Sequence, residues 1–192
     1  MKTRNKSNKL EYQSGNNKIP KNTMIINMGS AANCPAGKRG LCEFYKNKKC
    51  YAMKAETQYP ACLPYRTRQA AYWKSTPARI IAADINAALE RKRTPYKYIR
   101  FNESGDFYGQ RCIAKLSKIA ELVPIPIYTY TARKDLSFKG LDPNLTINGS
   151  GFMIHNNFKV VKDPKGTVCP GNCRICSLCA KRRKITIEIA VH

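Results

Sequence analysis

YKYIRFNESGDFYGQRCIAKLSKIAELVPIPIYTYT, residues 96–131, is the stretch on which the fold turns. Its first six residues alternate in the manner of a strand, and NESGDFYG at 102–109 interrupts them with turn-forming residues. The period then changes to about 3.6, with Ile113, Leu116 and Ala120 on one helical face between 110 and 122 and Cys112 beside it as a small core residue. IPIYTYT at 125–131 returns to strand character. Strand, helix and strand at this spacing predict two parallel strands joined by a right-handed crossover.

The same logic extends outward in both directions. MIINMG at 24–29 is a short apolar run ended by Gly, which predicts a buried strand. Residues 66–93 are helical in composition with a break at Ser75-Thr76-Pro77, where Thr76 can cap and Pro77 can occupy the first turn of a second helix. Ile80, Ile81, Ala87, Ala88 and Leu89 then make a stripe for the core. LTING at 145–149, FKVVK at 158–162 and KITIEIAV at 184–191 predict further strands. The expected class is α/β: a partial, incomplete β/α barrel-like domain with parallel central strands and cysteine-rich metal-binding loops. Residues 1–22, rich in Lys, Asn, Ser and Gly, read as a basic flexible arm, and 23–192 as a single domain that includes the loop 169–179 and the final strand.

The densest chemical signal is CPGNCRICSLC at 169–179. Four thiols, Cys169, Cys173, Cys176 and Cys179, stand in eleven residues, and Pro170-Gly171 favours the tight turn that aims backbone amides at sulfur. Nine cysteines are an odd number, and MKTRNKSNKLEY at the start lacks the apolar run of a secretory signal. Metal in a reducing cytoplasm is therefore expected over a disulfide framework, and no membrane span is visible. Structural zinc sites commonly pair two knuckles separated by a dozen or more residues, whereas one compact loop suits an iron-sulfur cube of the 4Fe-4S type. Zinc is the alternative. Cys34, Cys42 and Cys50, spaced by eight and eight, form a second candidate set, with Cys62 as an optional fourth ligand. Three thiolates on a cube would leave one iron open. Residues 30–64, which carry this set, show little periodicity and read as a loop shaped by its ligands.

Charge bounds the partners. Lys and Arg number 35 against 12 Asp and Glu, a formal net charge of +23, and nucleic acid is the usual polyanion for such an excess. Lys181, Arg182, Arg183 and Lys184 follow the four-thiol loop directly and are the expected phosphate contacts, coupled to the cluster because losing it would release that loop. The alternative is a generally basic protein without a binding groove. No phosphate-cradling Gly loop and no Ser-His-Asp order can be made from the sequence.

NCPAGKRGLCEFYKNKKCYA at 33–52, RFNESGDF at 100–107, PIYTYTAR at 126–133 and the late cysteine group followed by a strand and His192 resemble the phage "gene product 88" family. A more distant likeness is to the radical S-adenosylmethionine enzymes, which carry three cluster cysteines after a first strand and a Gly-Gly-Glu type turn after the second. That likeness implies Cys34, Cys42 and Cys50 as cluster ligands and Ser104, Gly105 and Asp106 as the turn that binds the S-adenosylmethionine amine. The spacings here are wider than in those enzymes. The expectation is an iron-sulfur, nucleic-acid-binding phage or mobile-element protein with a structural or redox-sensing cluster; the alternatives are a radical S-adenosylmethionine-like enzyme and a zinc-stapled structural or host-interaction protein.

Overall fold

The structure, a computed structural model, describes residues 9–190. The elements run β1 (Gln13–Ser14), β2 (Thr23–Ile26), α1 (Pro35–Lys38), α2 (Glu43–Lys46), α3 (Tyr51–Gln58), α4 (Cys62–Ser75), α5 (Ala78–Glu90), β3 (Tyr98–Phe101), α6 (Gln110–Leu122), β4 (Ile127–Thr131), β5 (Leu145–Ser150), β6 (Asn156–Val161), β7 (Thr167–Val168) and β8 (Thr186–Ala190). They form one eight-stranded sheet in the order β1-β2-β3-β4-β5-β6-β8-β7. Only β1 pairs antiparallel; every other pairing is parallel, and the sheet is not closed.

Strands β2 to β6 follow one another in chain order, so the right-handed crossovers that join them lay their helices on one face. On that face Met24, Ile26, Ile99, Phe101, Ile127, Leu145 and Ile147 pack with Tyr72, Trp73, Ile81, Ile85, Ile113, Leu116 and Ile119. Each large aliphatic side chain buried there contributes about 1.5–3 kcal/mol. Cys112 belongs to this core, as expected: Trp73 Nε1 donates to its sulfur at 3.2 Å. The period-two rule sends the alternate residues of the same strands, Tyr98, Arg100, Tyr128, Tyr130, Thr146 and Asn148, to the opposite face.

The structure departs from the sequence reading in three places. Residues 30–64 are not one irregular loop, because α1, α2 and α3 interrupt it and α4 already starts at Cys62. Pro77 is extended at φ −60° and ψ 152°, outside the helix rather than in its first turn; the Ile80 and Ile81 N–H groups donate to its carbonyl, and Thr76 makes no side-chain cap. The expected arm over 1–22 falls in part on residues 1–8, outside the described residues, but the rest is docked: β1 joins the sheet edge, Ile19 is buried, and Glu11 accepts from Arg68 at 2.7 Å. Val191, the last residue of the predicted final strand, also lies outside the described residues, as does His192. Among the described residues no helix is long and apolar enough to cross a membrane.

Candidate metal centres

Cys34, Cys42 and Cys50 each stand immediately before a short helix, as the N-cap residues of α1, α2 and α3. The spacing of eight, opaque in the sequence, is thus a repeated local device: an extended cysteine followed by a helical turn. It turns the first amides of the helix toward the sulfur, so that the Ala36 and Gly37 N–H groups favour a Cys34 thiolate and those of Phe44 and Tyr45 a Cys42 thiolate, although neither cysteine side chain makes a capping hydrogen bond. Gly37 is required here, since a Cβ on it would fall 2.4 Å from the Tyr45 ring.

Two polar locks hold these caps beside the strand ends. Glu56 accepts the Ala31 and Ala32 N–H groups at 2.7 and 3.0 Å and pairs with Arg66, which also donates to the Ala52 carbonyl, tying the approach to Cys34 onto α3 and α4. Asn27, just past β2, accepts the Glu103 and Ser104 N–H groups with its Oδ1 and donates to Gln69. Ser104 Oγ donates to the Gly29 carbonyl at 2.7 Å, and Gly105 has φ +77° with that carbonyl where a Cβ would project. The predicted turn 104–106 therefore packs directly on the segment leading to Cys34.

Asp106 is buried and accepts from Phe107 N and Thr131 Oγ1 on one oxygen and Ala132 N on the other. Burial pushes its carboxyl up to about 6 in spite of those donors. It lies in electrostatic reach of Cys34 and Cys42, and Cys42 in reach of Cys34 and Cys50. Burial pushes Cys34 up to about 12, and its ionisation is further opposed by Asp106 and Cys42. Such a site favours neutral thiols unless a cation compensates the charge.

The second set is brought in from the far end of the chain. The loop 169–179 is anchored by Cys169 N–H to the Glu188 carbonyl and Cys173 N–H to the Lys18 carbonyl, with Gly171 at φ +69° making the turn. Its last residues cross the polar face of the sheet, where Asn148 donates to the Cys179 carbonyl and Thr146 to that of Ala180. Burial pushes Cys179 up to about 12, and the nearby Tyr130 hydroxyl pulls the other way. Cys169, Cys173 and Cys176 further oppose the ionisation of Cys179.

Between the two sets lies a feature the sequence reading missed. Tyr98, Tyr128, Tyr130 and Phe158 form an edge-to-face ladder with neighbouring centroids 5.2–6.3 Å apart, and the Arg100 guanidinium stands 5.2 Å from the Tyr130 centroid. Tyr51, next to Cys50, donates to the Glu103 carbonyl at 2.7 Å and acts on Arg100 from the other side. The available signal was the alternation in YIRF and IYTYT: a parallel strand buried on both faces by apolar packing reads as a continuous apolar run, so polar alternate positions marked a second, polar interior.

Among the described residues no group of three or more His, Cys, Asp or Glu side chains is arranged to hold a metal ion. Cys62 is the first residue of α4. In the basic run, Arg182 donates to the Leu141, Asp142 and Leu145 carbonyls and Lys184 Nζ to that of Ile154, so both heads serve the fold. Lys181 and Arg183 are exposed.

These features define a cysteine-rich α/β protein whose open, mostly parallel sheet carries two groups of thiols. A family model described as Gene product 88 matches residues 1–159, and the chain belongs to that family of phage gene products. The matched stretch takes in Cys34, Cys42, Cys50 and the turn 104–106 and ends before the loop 169–179. Comparisons with curated proteins and with solved structures returned no match.

Proposed function

We propose that this is an iron-sulfur protein of a phage or mobile element that acts in the host cytoplasm and binds nucleic acid through its basic surface. The observation that carries the reading is that seven thiols fall into two sets within which they oppose one another's ionisation, one set at the N-caps of three successive helices and the other on a single loop. Thiolates that accept N–H and O–H bonds are suited to ligating a cluster, whose corners stand farther apart than the ligands of one ion. Strands in chain order with helices on one face agree with a partial-barrel reading of the sheet. Each centre would be structural or redox-sensing, tying short helices and loops to the sheet.

Anaerobic purification with iron and acid-labile sulfide quantified per chain tests the cluster. Colourless, folded protein that contains zinc without iron or sulfide sinks it. A mobility assay over a range of salt tests the second half; no salt-sensitive binding to DNA or RNA by cluster-loaded protein removes it.

One arrangement favours a second reading. Three thiols beyond the end of β2, with the Ser104 to Asp106 turn packed on the same segment, match the layout of a radical S-adenosylmethionine-like enzyme, in which an iron left open by three ligands would take the cofactor. Here the Asp106 carboxylate is already occupied by Thr131, Ala132 and Phe107. Reductive cleavage of S-adenosylmethionine by reconstituted protein supports this enzyme reading; neither cleavage nor binding retires it.

A further inference from the structure

We infer that the turn closing α2 is a binding site for a single strand of nucleic acid, with Lys48 and Lys49 on its phosphates and the Phe44 ring against the face of a base. The inference rests on the nucleic-acid half of the reading above and deepens it by naming a site and the kind of strand it takes.

The helices α1 and α2 end in the same turn, built twice at a spacing of eight residues. In the first copy the Gly40 N–H donates to the Gly37 carbonyl and the Leu41 N–H to that of Ala36; in the second the Lys48 N–H donates to Tyr45 and the Lys49 N–H to Phe44. Such a turn favours glycine where the chain enters the left-handed region, and an apolar residue directly after it that packs back on the helix. The first copy has both, with Gly40 at φ +68° and Leu41 returning to Ala36, which is 1% exposed. The second has neither. Lys48 holds φ +56°, Lys49 stands in the apolar position, and Phe44 is left 42% exposed.

The needs of the fold do not account for these two lysines. The other described non-glycine residues at positive φ are fixed by their side chains: Asn102 Oδ1 accepts the Met28 N–H at 3.0 Å, and Lys184 Nζ donates to the Ile154 carbonyl at 2.9 Å. Lys48 is exposed, and among the described residues nothing holds its head. An outlying backbone conformation that the fold does not use points to function. The lysines and the ring share one turn, the Lys49 nitrogen lying 2.8 Å from the Phe44 carbonyl. Between Lys38 and Lys54 six cationic residues stand against Glu43 alone, and of the six only Arg39 has a carboxylate partner among the described residues. Unpaired cations beside an exposed ring suit a single strand, whose base faces are free to stack; in a duplex the neighbouring base pairs cover them.

The test follows the fluorescence anisotropy of one labelled oligonucleotide, as a DNA single strand, as its RNA counterpart and as the DNA duplex, titrated with the full chain over a range of salt. At least one of the single strands should bind more tightly than the duplex. Lys48→Gly relieves the left-handed conformation, so it should raise the melting temperature while weakening single-strand binding and flattening its salt dependence by about 0.7 units of slope, the loss of one phosphate contact. Phe44→Ala should weaken the same complex about fivefold or more with the slope unchanged, and Phe44→Trp should preserve it. A Lys48→Gly or a folded Phe44→Ala chain that keeps the parent's affinity and slope, or a duplex bound as tightly as both single strands, overturns the inference while nucleic-acid binding by the rest of the basic surface stands. A parent chain that binds none of the three probes retires the nucleic-acid reading together with it.

Discussion

Glu56 and Arg66 face each other at 2.9 Å with side chains only 4% and 5% exposed, and the same carboxylate caps the Ala31 and Ala32 amides. The pair therefore joins α3 and α4 to the segment that delivers Cys34. Removing one partner strands a buried charge, at a cost of about 3–5 kcal/mol. Arg66→Met should lower the denaturant midpoint accordingly and also reduce iron bound by the N-terminal set. An unchanged midpoint would show that the pair is not buried in solution.

Gly105 gives a prediction from backbone geometry. At φ +77°, with a Cβ destined to lie 2.8 Å from the Gly29 carbonyl, alanine is strained twice over. Gly105→Ala should cost about 1–3 kcal/mol. Gly140→Ala, at φ +64° but with open space around the new Cβ, should cost less. Thermal melts of the two variants side by side decide it; equal losses would mean that the close approach to Gly29 is absent.

His155 predicts a pH dependence. Its Nδ1 accepts the Ile147 N–H at 3.0 Å, and burial, aided by Arg182 and Lys184, pushes its pKa down to about 4 from the usual 6.5. The unfolded chain then binds a proton that the folded chain refuses. The contribution is fully present above pH 6.5 and is lost as pH falls toward 4, with a slope approaching about 1.4 kcal/mol per pH unit. Asp106, pushed up to about 6, has the opposite sign: its penalty grows as pH rises from the ordinary carboxylate range through 6. Urea titrations of the parent and His155→Gln between pH 7.5 and 4 separate the two, because only the histidine term vanishes in the variant. Parallel stability curves for the two proteins would contradict the assignment.

The basic run 181–184 should divide into two pairs. All four residues are exposed, but the Arg182 and Lys184 head groups also satisfy backbone carbonyls. Replacing Lys181 and Arg183 together with alanine should weaken nucleic-acid binding and flatten the salt dependence by about one to two units of slope, at little cost in stability. Arg182→Ala should instead lower the melting temperature. If binding depends on Arg182 and Lys184 alone, the phosphate contacts lie elsewhere.

Cysteine replacement distinguishes ligands from packing. Cys112 lies between Trp73 Nε1 and Met28 Sδ in the core, so Cys112→Ala should leave iron per chain unchanged and cost roughly 1–2 kcal/mol. Cys176→Ala should lose iron with little change in the core. Iron loss from the Cys112 variant equal to that from the Cys176 variant would defeat this partition.

Residues 96–131 carried their own structure in their periodicity, because a strand's alternation and a helix's stripe are local patterns that one face of a core selects. Gln110 to Leu122 formed the helix read from Ile113, Leu116 and Ala120, and parallel strands followed from strand-helix-strand order. The α1 to α3 repeat was hidden because helices of four to eight residues are too short to show a stripe. Gln13, Ser14 and Ile19 looked unable to order because their partners, β2 and the core, lie elsewhere in the chain.

The amino-acid order alone determined the strands β2 to β6 and β8, the four-thiol loop and the excess of positive charge, since each depends on neighbours in the chain. Only the tertiary structure decided that Arg100 stands over the Tyr130 ring, that Asn148 reaches the Cys179 carbonyl, and that Asp106 turns inward to Thr131. Those juxtapositions arise where parallel strands end side by side and a distant loop folds back over them. Chain folding, not local pattern, sets which charges meet in such a place and how weakly water screens them.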